Sequence, residues 1–278
     1  MRIVLSVVAM MVAALAAAAI AANLSWRRGT ATKVDRLAST VAESPRLHGV
    51  TSCDALPLPV ARYFKRALKG IERVVRSAIA TQQAEFFING GWRPLTATQY
   101  FTVTPPGFVW DARIEMAPLV PANVRDAYVS GRGSMQASMY GLYSIVDLEG
   151  TPELNSGALQ RFLGEAVWFP TALLPSPSVA WSARDDRSAI VTLIDGDTRV
   201  SLLFELDQND DVVRISGDRF KETNGSYVVQ PWVIACSEHG DRSGMRIPLF
   251  CEVAWVGNGG PEPYWRGRIT NIEYVFWR

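Results

Sequence analysis

From about residue 74 onward, apolar and polar positions alternate with a period of two, the pattern of strands that bury one face. In the clearest case Phe108, Trp110, Ala112, Ile114 and Met116 share one face, and Val109, Asp111, Arg113 and Glu115 share the other. Pro105-Pro106-Gly107 predicts a turn just before it. A second alternating stretch covers 126–140, where Gly131 and Gly133 predict a bend or bulge. A meander then follows over 179–184, 189–194, 199–206, 212–219, 226–234, 246–256 and 266–276, punctuated by turn pairs such as Asn224-Gly225. Such short connections imply mainly antiparallel pairing of about ten strands.

Three stretches keep the helical period instead. In 59–69, Pro59 suits a first turn, Val60, Tyr63, Phe64, Ala67 and Leu68 form one stripe, and Arg62, Lys65, Arg66 and Lys69 lie opposite, with Gly70 as the cap. In 157–168, Ser156 is the expected N-cap and Leu159, Phe162, Leu163, Ala166 and Val167 follow helical spacing, with Arg161 and Glu165 paired on the exposed side. Pro170 closes that helix and leaves the apolar connector 171–175. A short helix is expected over 33–42, ended by Ser44-Pro45.

Residues 3–22 are apolar except for Ser6, and twenty residues at ~1.5 Å rise match the ~30 Å hydrocarbon core of a bilayer. A secretory signal is the competing reading, because Ala19-Ile20-Ala21 is a small-x-small pattern. The thin charged region before the apolar run and its length favour an uncleaved anchor. The expected organisation is an anchor or signal over 1–26, a juxtamembrane segment over 27–55 and a single β-rich domain over 56–278. Arg27, Arg28, Lys33 and Arg36 after the span, against Arg2 before it, place the domain in the cytosol by the positive-inside rule.

Composition narrows the function more by exclusion than by assignment. The 278 residues are 48% hydrophobic and 20% charged, with a net charge of +1, so a folded core is expected and no broad field attracts nucleic acid. There is no GxSxG elbow, P-loop, HExxH or GxGxxG. With His48 and His239 alone, a multi-histidine metal site is excluded, and neither a metal nor a cofactor is expected. Cys236 and Cys251 lie on segments expected to pair, which leaves a disulfide and two buried free thiols both open; Cys53 stands alone. The best polar cluster is Asp111, Arg113 and Glu115, joined by Asp126 and Arg125. It reads either as a salt-bridged outer face or as a polar anchor or acid–base pair.

The segments LPLPVARYF (56–64), WRPLTA (92–97), PGFVWDAR (106–113), RDAY (125–128), WFPTALL (168–174) and EVAW (252–255) resemble a bacterial family of uncharacterised proteins, the domain of unknown function 6544/6920 type. That resemblance implies no activity. The order of helix, strand block, Pro-bounded Leu-Leu connector and meander is similar, more distantly, to the lipoprotein-carrier architecture. This likeness implies a mainly β (α+β) fold, a curved antiparallel sheet or half-barrel wrapping one or two helices behind the transmembrane helix. It also implies a place in the cell envelope and an apolar ligand on the concave face. Trp110, Phe162, Trp168, Phe169, Leu173 and Leu174 are the candidate lining, and 168–175 is a candidate lid. The leading expectation is a membrane-tethered protein that sequesters a lipid or another apolar molecule. The alternatives are a structural or partner-binding protein at the membrane and a hydrolase built on Asp111, Glu115 or Asp126.

Overall fold

The computed structural model describes residues 2–41, 56–69, 71 and 73–277. His48, Cys53 and the expected cap Gly70 lie outside them. Helix α1 (Arg2–Ser39) is followed by α2 (Leu58–Ala67) and by strands β1 (Val75–Ile88), β2 (Gly91–Thr102), β3 (Gly107–Ala117), β4 (Val120–Val129), β5 (Arg132–Met139) and β6 (Tyr143–Glu149). Helix α3 (Pro152–Glu165) and two 3-10 turns, Ala166–Trp168 and Pro170–Leu173, come next. The chain ends with β7 (Val179–Asp185), β8 (Ser188–Asp195), β9 (Thr198–Leu206), β10 (Val212–Thr223), β11 (Ser226–Arg242), β12 (Met245–Gly257) and β13 (Gly260–Phe276).

All thirteen strands form one antiparallel sheet with the order β6-β5-β4-β3-β2-β1-β13-β12-β11-β10-β9-β8-β7. The strand count exceeds ten partly because the alternating stretch 126–140 is a hairpin. Ser130 (φ 53°) and Gly131 (φ 78°) form a two-residue loop between β4 and β5, and alternation alone does not show where one strand ends and its neighbour begins. Asn224 and Gly225 close β10–β11 in the same way, as their sequence pattern indicates.

The sheet is curved and unclosed, and its curvature follows from what α3 touches. Twelve inter-strand steps separate β6 from β7, roughly 58 Å if the sheet were flat at ~4.8 Å per step. Yet α3 packs on β4 and β5 from one arm and on β9 and β10 from the other. Tyr128 on β4 also donates to Asp195 Oδ2 on β8 at 2.7 Å. The segment joining the two edge strands therefore crosses the molecule through its concave side. Its fully buried residues, Leu159, Leu163, Phe169 and Leu173, pack with Phe101, Phe108, Phe204 and Ile215 from the sheet. Helix α2 buries Val60, Tyr63, Phe64 and Ala67 at another part of the same core.

Three sequence expectations change. Helix α3 begins five residues before its expected start, because Thr151 is the N-cap, its Oγ1 accepting from Leu154 N–H at 3.2 Å, and Pro152 occupies the first turn. In place of the separate helix expected at 33–42, residues 33–39 are the last part of α1, which continues unbroken across the expected division at 26/27, while the expected end at Ala42 and Ser44-Pro45 lies outside the described residues. Arg161 and Glu165 pair across one turn as expected, but on the buried side of α3 rather than in solvent.

Candidate functional site

Interior and exterior faces of the same strands carry different chemistry. The register aligns Trp110 with Asp126 and Asp111 with Arg125. Asp126 therefore belongs to the Trp110 face and is separated from Asp111, Arg113 and Glu115, which corrects the expected cluster. The slip of one residue is decisive because neighbouring strand residues point to opposite faces.

On the interior face the polar groups form one connected chain. Arg161 reaches from α3 to Asp126 at 2.6 Å and to Glu165 at 2.8 Å. Glu165 accepts from Gln99 Nε2 at 2.7 Å, Gln99 Oε1 accepts from Gln82 at 2.9 Å, and Gln82 Oε1 accepts from the Trp110 indole at 2.9 Å. The guanidinium also lies 5.0 Å from the Phe108 ring centre and 4.9 Å from that of Trp110. Burial opposes the charge on Arg161, but Glu165 and Asp126 outweigh it and raise its pKa. Burial also dominates at Glu165, lifting its pKa above the ordinary value despite the opposing pull of Arg161 and Gln99. Helix α3 is thus held in an aromatic interior by a polar clasp.

The six expected lining residues surround this clasp as packed core. Trp110, Phe162, Trp168, Phe169 and Leu173 are buried, and Leu174 is half-buried. The Phe169 ring lies 4.7 Å from Phe101 and 5.7 Å from Phe162, centre to centre. None of the six lines the void of about 10 Å³ beside α2 or the groove on the outer face. Cys236 and Cys251 sit opposite each other in the ladder as buried free thiols with their sulfurs 3.7 Å apart. The hydrogen bond that Cys251 donates to Cys236, with burial, pushes the Cys251 pKa well above the ordinary value. His239 is a structural residue, its Nε2 lying 2.9 Å from the Val212 carbonyl oxygen.

On the exterior face, the second half of α1 docks against β2, β3 and β4. Trp26 donates to Asp111 Oδ1 at 2.8 Å. Arg125 donates to the Trp26 carbonyl at 2.6 Å and to Thr30 Oγ1 at 2.7 Å, with its guanidinium 4.1 Å from the Trp26 ring centre. Lys33 reaches Ser134 at 3.1 Å, and Leu37 packs on Val109 and Ala127. Burial lowers the pKa of both Arg125 and Lys33, with Asp111 opposing the shift at Arg125 and Glu149 opposing it at Lys33. Asp111 and Arg125 are therefore a helix-docking pair, whereas Arg113 and Glu115 remain exposed. Beside α1 the sheet leaves an open groove of about 380 Å³, with Asn23, Trp26 and Arg27 on one wall and Thr96, Thr98, Asp111, Arg113 and Asn123 among its floor residues. Sequence reading missed this docking, although Trp26, Thr30, Lys33 and Leu37 recur at helical spacing.

The described residues contain no group of three or more His, Cys, Asp or Glu side chains placed to hold a metal ion. No curated protein matches the sequence. Among solved structures, a putative outer membrane lipoprotein-sorting protein domain from Vibrio parahaemolyticus is similar at 8% identity and TM-score 0.40, covering 71% of this chain and 85% of that one. A LolA superfamily protein from Nitrosomonas europaea is similar at 7% identity and TM-score 0.41, with 79% and 93% covered. A DUF1329 family protein from Desulfovibrio piger shows 8% identity and TM-score 0.40, with 72% and 86% covered. Residues 54–274 match the model of DUF6920, a family of unknown function, and the chain belongs to that family.

Proposed function

We propose that the protein is a membrane-anchored binding domain that takes up a lipid or another apolar molecule on the concave face of its sheet. The observation that carries this reading is the way the concave face is filled. A single crossing segment, α3 with its two 3-10 turns, occupies it, and a polar clasp pins that segment to a wall of aromatic side chains. Residues 152–174 act as a plug. When the plug moves, the wall formed by Phe101, Phe108 and Trp110 is exposed, and an acyl chain replaces the apolar area that α3 had covered, at about 25 cal/mol per Å². Helix α1 supports the anchoring: it is long and apolar enough to cross a membrane, and it continues without a break into its docking site on the sheet.

Titration of the full-length protein in detergent with an environment-sensitive acyl-chain fluorophore tests the reading. Saturable binding that a long-chain fatty acid displaces is the expected result. A flat titration at every concentration refutes it. The burial of five of the six candidate lining residues favours one alternative, a tethered scaffold that binds a protein partner and no lipid.

A further inference from the structure

We infer that the outer groove at the root of α1 is a second site, one that binds the phosphate-bearing headgroup of an anionic membrane lipid. The inference rests on the reading of α1 as a membrane anchor and concerns the face opposite the plug. Its depth comes first. Twenty apolar residues, 3–22, span ~30 Å of hydrocarbon, so Asn23 is the first polar residue at the bilayer surface, with Trp26 and Arg27 within the next turn. The domain meets the helix at this level: a side chain at Gly141 would come within 3.0 Å of the Ala22 carbonyl oxygen. Tyr140, next to Gly141, donates to the Leu119 carbonyl at 2.7 Å, which brings the β3–β4 turn alongside. These two turns present apolar side chains where the helix leaves the hydrocarbon, Leu119 being 93% and Leu142 54% exposed. A bilayer surface accommodates such exposed apolar side chains.

The groove opens at that same depth and carries the matching charge. Its floor is a ladder across three strand pairs, Gln83 opposite Thr96, Thr96 opposite Arg113 and Arg113 opposite Asn123. Arg113 on the floor and Arg27 on the wall are both exposed, and among the described residues neither side chain makes an ion pair or a hydrogen bond within the protein. Among the described residues the one acidic lining residue, Asp111, accepts from the Trp26 indole and is aligned with Arg125 on the next strand. Two unpaired guanidinium forks, with the Thr96 hydroxyl and the Asn123 amide beside them, match a phosphodiester that accepts several charge-assisted hydrogen bonds. The negative surface potential of an anionic leaflet adds to this attraction.

Native mass spectrometry of the full chain released from nanodiscs, made with phosphatidylglycerol or with phosphatidylcholine, tests the site. The wild type is expected to retain phosphatidylglycerol in preference. The double variant Arg27→Glu/Arg113→Glu is expected to retain at least tenfold less of it, and Arg199→Glu, at an exposed position of β9, is expected to behave as the wild type. The pair Arg27→Lys/Arg113→Lys keeps the charge but loses the forks, and intermediate retention is expected. Equal retention by the double glutamate variant overturns the inference, and so does displacement by millimolar inorganic phosphate, which would make free phosphate the ligand. Alkaline extraction of the wild type from membranes reports on the anchor separately. Acyl-probe uptake reports on the plug: the groove variants should leave it unchanged, and Arg161→Met should leave the headgroup preference unchanged.

Discussion

Replacing Arg161 with Met removes a cation that pairs with both Asp126 and Glu165. The three side chains are 17%, 18% and 11% exposed, and the contacts are 2.6 and 2.8 Å long, so both carboxylates lose their partner in a nearly enclosed site. Breaking a buried pair by removing one member costs about 3–5 kcal/mol. For a domain of this size each kcal/mol lowers Tm by about 2–4 °C, so the variant should melt roughly 6–20 °C lower. Thermal unfolding of the full chain in detergent, followed by tryptophan fluorescence and near-UV circular dichroism, measures this directly. The triple variant Arg161→Met/Asp126→Asn/Glu165→Gln removes the charges together and should recover most of the loss, since the side-chain amide introduced by Glu165→Gln can still accept from Gln99. A shift below about 2 °C for the single variant, or a triple variant as unstable as the single, would refute a clasp made of mutually dependent charges.

Other measurements address separate parts of the structure. Because burial raises the pKa of Glu165 above its ordinary 4.5, the folded state takes up its proton before the unfolded chain does. That contribution is complete below the ordinary value and is lost as pH rises through the raised one. The Tm of wild type minus that of Glu165→Gln should therefore grow as pH falls from 7 to 5, and the opposite slope would show that the Arg161 pair outweighs burial. Arg125→Ala removes three charge-assisted hydrogen bonds to α1, one to Trp26 and two to Thr30, and a hydrogen bond of this kind is worth about 1.5–3 kcal/mol. Hydrogen exchange over 24–39 should accelerate at least tenfold while β8–β10 stay unchanged, and equal rates would contradict the docking. With Cys53→Ser in place, Cys236 and Cys251 should resist maleimide until the domain unfolds, since they are 5% and 3% exposed and the Cys251 pKa is raised. Rapid labelling of the folded protein would place them in an open environment.

How much of the structure is legible in the sequence depends on how local the cause is. The inward row of β3 and the stripe of α2 follow from side-chain period alone, and both hold in the structure. Asp126 is misplaced by sequence reading because its face depends on the β3–β4 register, and nothing in the sequence around 126 states which residue lies opposite Trp110. Arg161 and Glu165 illustrate the same limit. An i, i+4 pair of opposite charges looks alike in solvent and in a core, and only the wrapping of the two sheet arms around α3 makes it buried. The docking of α1 rests on partners far along the chain, such as Asp111 and Arg125, 85 and 95 residues away, so the helical spacing of Trp26, Thr30, Lys33 and Leu37 has meaning only once the sheet is in place.

The two faces of the sheet give the molecule a consistent arrangement. The outer face grips the second half of α1, and the inner face holds a segment that crosses between the sheet edges. In the proposed reading one face orients the domain at a membrane and the other one opens.

Photocrosslinking of the full chain in membranes with a diazirine-bearing fatty acid, followed by peptide mapping, tests the central claim most directly. Crosslinks concentrated in 101–114 and 159–174, and increased by Arg161→Met, are the predicted result. Crosslinks confined to the outer turns around Leu119 and Leu142, in wild type and variant alike, would contradict an apolar site on the concave face.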